Sequence, residues 1–124
     1  MLLDTSAWIE YFKGTEKGAI IQKLFSTEMA VYTCPLTLAE VVYWCHKNNE
    51  QLAPILEKIR SLSIILDLTE EIFTKSGEIY YRERQRNDKI GMIDCIIYTS
   101  AIMHGLKIIT KDRDFEKLPN VEMI

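Results

Sequence analysis

Short apolar runs bounded by turn residues alternate along this chain with longer stretches in which apolar positions recur every three or four residues. Met1 to Asp4 reads as a very short buried strand. Thr5 or Ser6 can accept the free N–H groups of a helix running through Phe12, and Gly14 breaks it. Lys17 to Thr27 predicts a second helix, with Ile20, Ile21, Leu24 and Phe25 on one stripe. Met29 to Thr33 is apolar and β-branched and reads as a strand. Cys34-Pro35 turns the chain into a helix from Leu36 to about Lys47, closed by Asn48-Asn49. Gln51 to Leu62 is amphipathic, with Pro54 tolerated in its first turn. Ser63 to Leu68, rich in Ile and Leu, predicts a third strand. Thr69-Glu70-Glu71 opens a long helix to about Arg86, its acids and arginines matching the helix dipole. After Asn87-Asp88-Lys89, a helix from Ile90 or Met92 reaches His104, and Gly105 ends it. Lys107 to Thr110 is a fourth strand and Val121 to Ile124 a candidate fifth. The alternation predicts an α/β fold: a three-layer α/β/α sandwich around a mainly parallel, four- to five-stranded sheet with right-handed crossovers.

Four acids interrupt or end these apolar runs: Asp4, Glu40, Asp94 and Asp112. Acidic side chains are rarely buried without a partner, and no equal number of bases lies near them in sequence. Asp4 and Asp112 fall just past the carboxyl ends of predicted strands, where open α/β sheets bind ligands. Glu40, one turn into its helix, faces inward with Leu36, Tyr43 and Trp44; Asp94 does so with Ile90, Ile97 and Tyr98. Helix side chains lean towards the N-terminus, so both aim at the edge where Asp4 and Asp112 emerge. Asp4 could instead cap a helix, Asp94 could answer the helix dipole and Asp112 could serve a turn. Glu40 has no such role in mid-helix. Together the four suit a carboxylate cage for a divalent cation, which supplies the missing positive charge.

With 124 residues the chain fits one domain, residues 1–124, and its 48% hydrophobic content supports one ordinary core. A net charge of −3 argues against wholesale basic coating of nucleic acid. No apolar stretch approaches the ~20 residues that span a bilayer, and no signal-like N-terminus is evident; the expectation is a cytoplasmic protein without membrane contact. Cys34, Cys45 and Cys95 are odd in number and lack C-x-x-C spacing, so they read as reduced, buried thiols. Two distant histidines make a zinc site a poor fit.

Leu2-Leu3-Asp4-Thr5-Ser6-Ala7-Trp8-Ile9, Leu38-Ala39-Glu40-Val41, Met92-Ile93-Asp94-Cys95-Ile96-Ile97 and Ile108-Ile109-Thr110-Lys111-Asp112-Arg113-Asp114-Phe115, in this order and spacing, resemble the PIN-domain family, with the likeness closest to its VapC-type toxins. The resemblance covers essentially the whole chain. It implies a metal-dependent endoribonuclease, the toxin of a toxin–antitoxin pair, using one or two Mg²⁺ or Mn²⁺ ions on Asp4, Glu40, Asp94 and Asp112. Its small polar residue after the first acid corresponds to Thr5 or Ser6, with Ser6 orienting Asp4 or a metal-bound water, and its strand threonine corresponds to Thr110. Asp-x-Asp-Phe offers two acids; Asp112 fits the spacing from Asp94, leaving Asp114 a supporting role. The resemblance further implies an RNA substrate, a small antitoxin partner and a homodimer.

Basic residues leading into or flanking these acids (Arg84, Arg86, Lys89, Lys111 and Arg113) are candidates for phosphate contacts, which position a strand without reading it; a solvated helix face explains them equally well. Trp8, Tyr11, Phe12, Tyr43 and Trp44 suit either an interface or the core. Two other readings stay open. One is a PIN module that binds RNA or protein without efficient catalysis. The other is a phosphotransfer protein of the receiver or haloacid-dehalogenase kind. Against it, Ser6 stands where the dehalogenase type has its second Asp, and Asp67 is only a loose phosphoacceptor.

Overall fold

Leu2 and Leu3 alone form strand β1, and both are fully buried on opposite sides of the sheet. Successive strand side chains point to opposite faces. Leu2 and Ile108 enter one core with Ile79, Ile97, Tyr98 and Phe115. Leu3 and Ile109 enter a second with Ala7, Trp8, Ile21, Val41 and Ile59. Two cores on two faces of one sheet make the predicted three-layer α/β/α sandwich.

The computed structural model describes residues Met1 to Ile124. After β1 come helices α1 (Thr5–Lys13) and α2 (Glu16–Leu24), strand β2 (Tyr32–Thr33), helices α3 (Pro35–Lys47) and α4 (Leu52–Leu62) and strand β3 (Ile64–Ile65). Helices α5 (Glu70–Arg84) and α6 (Met92–Met103), strand β4 (Ile108–Thr110), a single 3₁₀ turn over Arg113–Phe115 and strand β5 (Val121–Met123) follow. The strand order is β3-β2-β1-β4-β5 with every pairing parallel. From β1 the chain builds outward through β2 and β3, then returns to place β4 on the other side of β1. The order reverses at β1, so the ligand crevice of such a sheet lies outside the carboxyl ends of β1 and β4.

Strands β2 and β3 are two residues each, shorter than the apolar runs Met29–Thr33 and Ser63–Leu68 predict. The ladder is limited by its central strand, because Asp4 already begins α1. Helix α2 starts one residue before Lys17, since the Thr15 hydroxyl accepts from the Gly18 N–H at 3.0 Å. Gly14 ends α1 in the left-handed region at φ 67°, which a residue without a side chain adopts with the least strain. At Gly18 a Cβ would lie 2.1 Å from the Glu10 carbonyl oxygen, so α1 and α2 meet backbone to backbone there. Trp8 Nε1 donates to Thr33 Oγ1 at 3.1 Å and ties α1 to β2. No helix is long and apolar enough to cross a membrane.

Candidate active site

Asp4 leaves β1 as the N-cap of α1 and is 4% exposed. Its Oδ2 accepts from Ser6 Oγ at 2.8 Å, Thr110 Oγ1 at 2.8 Å and the Ser6 N–H at 3.4 Å. Ser6 Oγ in turn accepts from the Lys111 N–H at 2.9 Å, and Thr110 Oγ1 from the Asp112 N–H at 2.9 Å. A hydroxyl has one proton. With both protons aimed at Asp4, the 3.0 Å approach between Ser6 and Thr110 carries no hydrogen bond of its own. All three donors converge on Oδ2, which leaves Oδ1 available to a ligand. Capping and site chemistry are compatible here: Oδ2 serves the fold while Oδ1 takes none of these three hydrogen bonds.

This corner is braced from outside. Lys111 Nζ pairs with Glu10 Oε1 at 2.6 Å, and Thr15 Oγ1 bonds the other Glu10 oxygen. Glu10 is buried, and these two hydrogen bonds hold its carboxyl below the usual range. The Lys111–Glu10 pair therefore clamps the residue after β4 to α1, next to Thr110 on one side and one helical turn beyond Ser6 on the other. Nothing in the local sequence of Glu10 announces this, because its partner lies 101 residues away.

Glu40 comes from the first half of α3. Its Oε1 accepts from Thr5 Oγ1 at 2.6 Å, and Thr5 also reaches Thr37 Oγ1 at 3.1 Å. Thr5 and Ser6, alternatives in the sequence, thus both serve acids: Thr5 holds Glu40 and Ser6 holds Asp4. Asp94 sits in the first turn of α6, its Oδ2 accepting from the Gly91 N–H at 3.1 Å. Asp112 caps the 3₁₀ turn through Oδ1, which accepts from the Asp114 N–H at 2.9 Å. Asn87 Nδ2 donates to Asp114 Oδ1 at 3.3 Å.

The acids act on one another. Burial lifts Asp4 above the usual carboxylate range despite its hydrogen bonds from Thr110 and Ser6. Burial also lifts Glu40, aided by the nearby charges of Asp4 and Asp112. Asp94 is pushed up to about 6, first by burial and then by Asp112, Asp4 and Glu40. Raised values from desolvation and like charge describe a site poised for a cation. None of the chain's ion pairs involves any of these acids. One carboxylate oxygen from each of Asp94, Asp112 and Asp114 lies within 4.8 Å of the others. That span is about twice the ~2.0–2.6 Å bond of Mg²⁺ or Ca²⁺ to oxygen, so the donor set fits a hard divalent ion. Asp114 joins this trio, a closer part in the site than the spacing from Asp94 alone suggests.

The basic candidates fall into two groups. Arg84 Nη1 bonds the Ile90 carbonyl at 3.3 Å and its guanidinium lies 5.5 Å from the Tyr80 ring centroid. Arg86 pairs with Glu83 at 3.4 Å, and Lys111 is held by Glu10. Arg113 and Lys89 are exposed, and their side chains make no ion pair or hydrogen bond within the chain. Trp8, Tyr11, Phe12 and Phe25 stack together, with Trp8 fully buried, so half the aromatic weight of the first part is core.

The PIN domain family model matches residues 1–121. The chain belongs to the PIN-domain family. A VapC ribonuclease of Mycobacterium bovis is 30% identical over 98% of this chain and 92% of its own. Ribonuclease VapC1 of Rickettsia felis is 29% identical over 100% and 94%. Among solved structures, a toxin–antitoxin complex from Klebsiella pneumoniae superposes with TM-score 0.76 at 25% identity, over 98% of this chain and 95% of that one. The VapBC2 complex of Rickettsia felis, crystallised with promoter DNA, shares the fold at TM-score 0.77, over 99% and 96% at 22% identity.

Proposed function

We propose that this PIN domain is a metal-dependent endoribonuclease of the VapC type that acts as a toxin and is restrained by a small antitoxin protein. What supports the reading is that the charges of Asp4 and Asp112 act on Glu40, and those of Asp112, Asp4 and Glu40 on Asp94, while none of the four is in an ion pair. Relatives of matching length are named ribonucleases, and structural neighbours are toxin–antitoxin complexes, which supports RNA and an inhibitor protein as partners.

Asp4 through its free Oδ1, with Asp94, Asp112 and Asp114, would hold Mg²⁺ or Mn²⁺, and Glu40 would complete the set directly or through water. The ion supplies positive charge that polarises a phosphoryl oxygen and lowers the pKa of a bound water. The chain's own residues do the rest. Ser6 and Thr110 orient Asp4 by donating to Oδ2. Thr5 holds Glu40 across the crevice, where its raised pKa suits proton exchange with an attacking water. Arg113 and Lys89 reach for the substrate backbone. A homodimer and a cytoplasmic setting complete the reading.

The experiment is cleavage of RNA by purified protein with Mn²⁺ or Mg²⁺ and with EDTA, beside Asp4→Asn and Asp94→Asn. Cleavage should require the metal and both acids. Activity that survives EDTA, or is intact in both variants, would sink the mechanism.

A further inference from the structure

Positive charge beside the five acids is divided: Arg84, Arg86 and Lys111 are held by partners of their own, while Lys13, Lys89, Arg113 and Lys117 are exposed and without ion pairs. Phosphate contacts supply affinity for a nucleic acid without reading its bases. Stacking on aromatic side chains supplies a second source of affinity for unpaired bases.

A groove of about 590 Å³ opens directly beside the acids. Thr5 and Glu40 belong to both the groove and the acid crevice, and Ile93 is adjacent to Asp94. Its walls are apolar and aromatic: Ile9 from α1, Tyr43 and Trp44 from α3, and Ile93 from α6. Tyr43 is 68% exposed and Ile93 46%, more than side chains serving the core would be. Lys47 stands at the mouth, one helical turn beyond Tyr43, exposed and without an ion pair or hydrogen bond. The other two spaces beside the acids differ. One is lined by Glu83, Arg86, Arg113, Glu116 and Lys117 around Asp114, the other by Glu10, Lys13 and Lys111 beside Asp112; both are mostly charged.

Resting on the ribonuclease reading, we propose that the groove between α1, α3 and α6 is a nucleobase subsite. It takes an unpaired base of the RNA next to the scissile phosphate, stacked on Tyr43 and packed against Ile9 and Ile93, with Lys47 on a neighbouring phosphate. A base held in a duplex cannot leave its stack to enter the groove without unpairing.

Steady-state cleavage of a single-stranded octaribonucleotide with Mn²⁺ tests this. Tyr43→Ala should raise KM about tenfold with kcat within about twofold, Tyr43→Phe should match wild type, and Lys47→Ala should raise KM less than Tyr43→Ala. The same strand annealed to its complement should be a poor substrate. Independently of turnover, the octamer should quench Trp44 emission with Ca²⁺ in place of Mn²⁺, using Trp44→Phe as the blank, and an octamer with abasic sugars should not. Wild-type KM in Tyr43→Ala, a Tyr43→Phe variant as poor as Tyr43→Ala, or equal quenching by abasic RNA would each overturn the subsite. The first of these would assign the groove to a protein partner. If wild type cleaves no RNA at all, the ribonuclease reading itself falls. If wild type cleaves and Tyr43→Ala is indistinguishable from it, only the subsite falls. Tyr43 is mostly exposed, so its variants should melt with wild type.

Discussion

The two halves of the acidic crevice are built differently. On one side, Asp4 is 4% exposed and receives three hydrogen bonds on one oxygen, and the donors themselves are held by backbone N–H groups and braced by the Lys111–Glu10 pair. On the other, Asp94, Asp112 and Asp114 are only half-buried. Asp94 and Asp112 each accept one backbone N–H, and Asp114 is held by one side-chain amide. The Asp4 side is organised before any ligand arrives. The trio consists of like charges brought near one another by the ends of two elements, and a cation would complete their arrangement. Within one site, the fold builds one anchor and leaves the remaining ligands soft.

The sharpest break of this contrast is Asp4→Asn. Cleavage should fall well beyond the ~10- to 100-fold typical of a residue that only orients a ligand. The melting temperature without metal should not drop, because a neutral isostere removes a buried charge. Thr110→Val comes next. It removes a donor from Asp4 and an acceptor from the Asp112 N–H together, so activity or Mn²⁺ affinity should fall about 10- to 100-fold. Its melt should also be lower, since the buried Asp4 oxygen loses a partner. Asp114→Asn, on the soft side, should cost only a few-fold in the Mn²⁺ concentration for half-maximal activity. A loss equal to that of Asp4→Asn would erase the distinction between the halves.

The smallest effect is on stability against pH. Burial and like charges raise Asp94 from 3.8 to about 6, so the folded chain binds this proton more tightly than the unfolded one. The stabilisation is fully present below the unfolded value and is lost as pH rises through about 6. Asp4 and Glu40 shift in the same direction. Thermal melts in EDTA should therefore fall between pH 5 and pH 7. Asp94→Asn should flatten that slope, and Mn²⁺ should restore the melt at pH 7. A metal-free melt that rises over this range would contradict the electrostatic description of the soft half.

Much of this was legible in the sequence. An acid inside an apolar run is a strong signal because burying it carries a cost, and Asp4, Glu40 and Asp94 all declared themselves in this way. Strand-end position marked Asp112. Capping chemistry located the helix ends within a residue or two, except that α2 stops at Leu24, three residues short of the expected Thr27. Strand lengths were less legible: Met29 to Thr33 has the composition of a longer strand, but a central strand of two residues sets the ladder. Glu10 was invisible because its meaning depends on Lys111; Thr5 was named only as an alternative to Ser6, because its partner Glu40 sits on α3. Asp114 was underweighted because sequence spacing cannot show that a 3₁₀ turn swings its carboxylate beside Asp94. Local signals reveal which residues are costly to bury; which residues hold them is decided by contacts distant in sequence.

The Asp4 corner is closed by Thr110, 106 residues further along the chain. Strand β1, at the very start, finds β4 only when nearly everything between has been made, and pairings of such long separation form slowly. A chain still emerging from the ribosome, with residues 108–112 inside the exit tunnel, carries Asp4, Ser6 and Glu40 but neither the Thr110 hydroxyl that completes the Asp4 corner nor Asp112. Until β4 pairs with β1, the chain holds two of the acids without the frame that sets them.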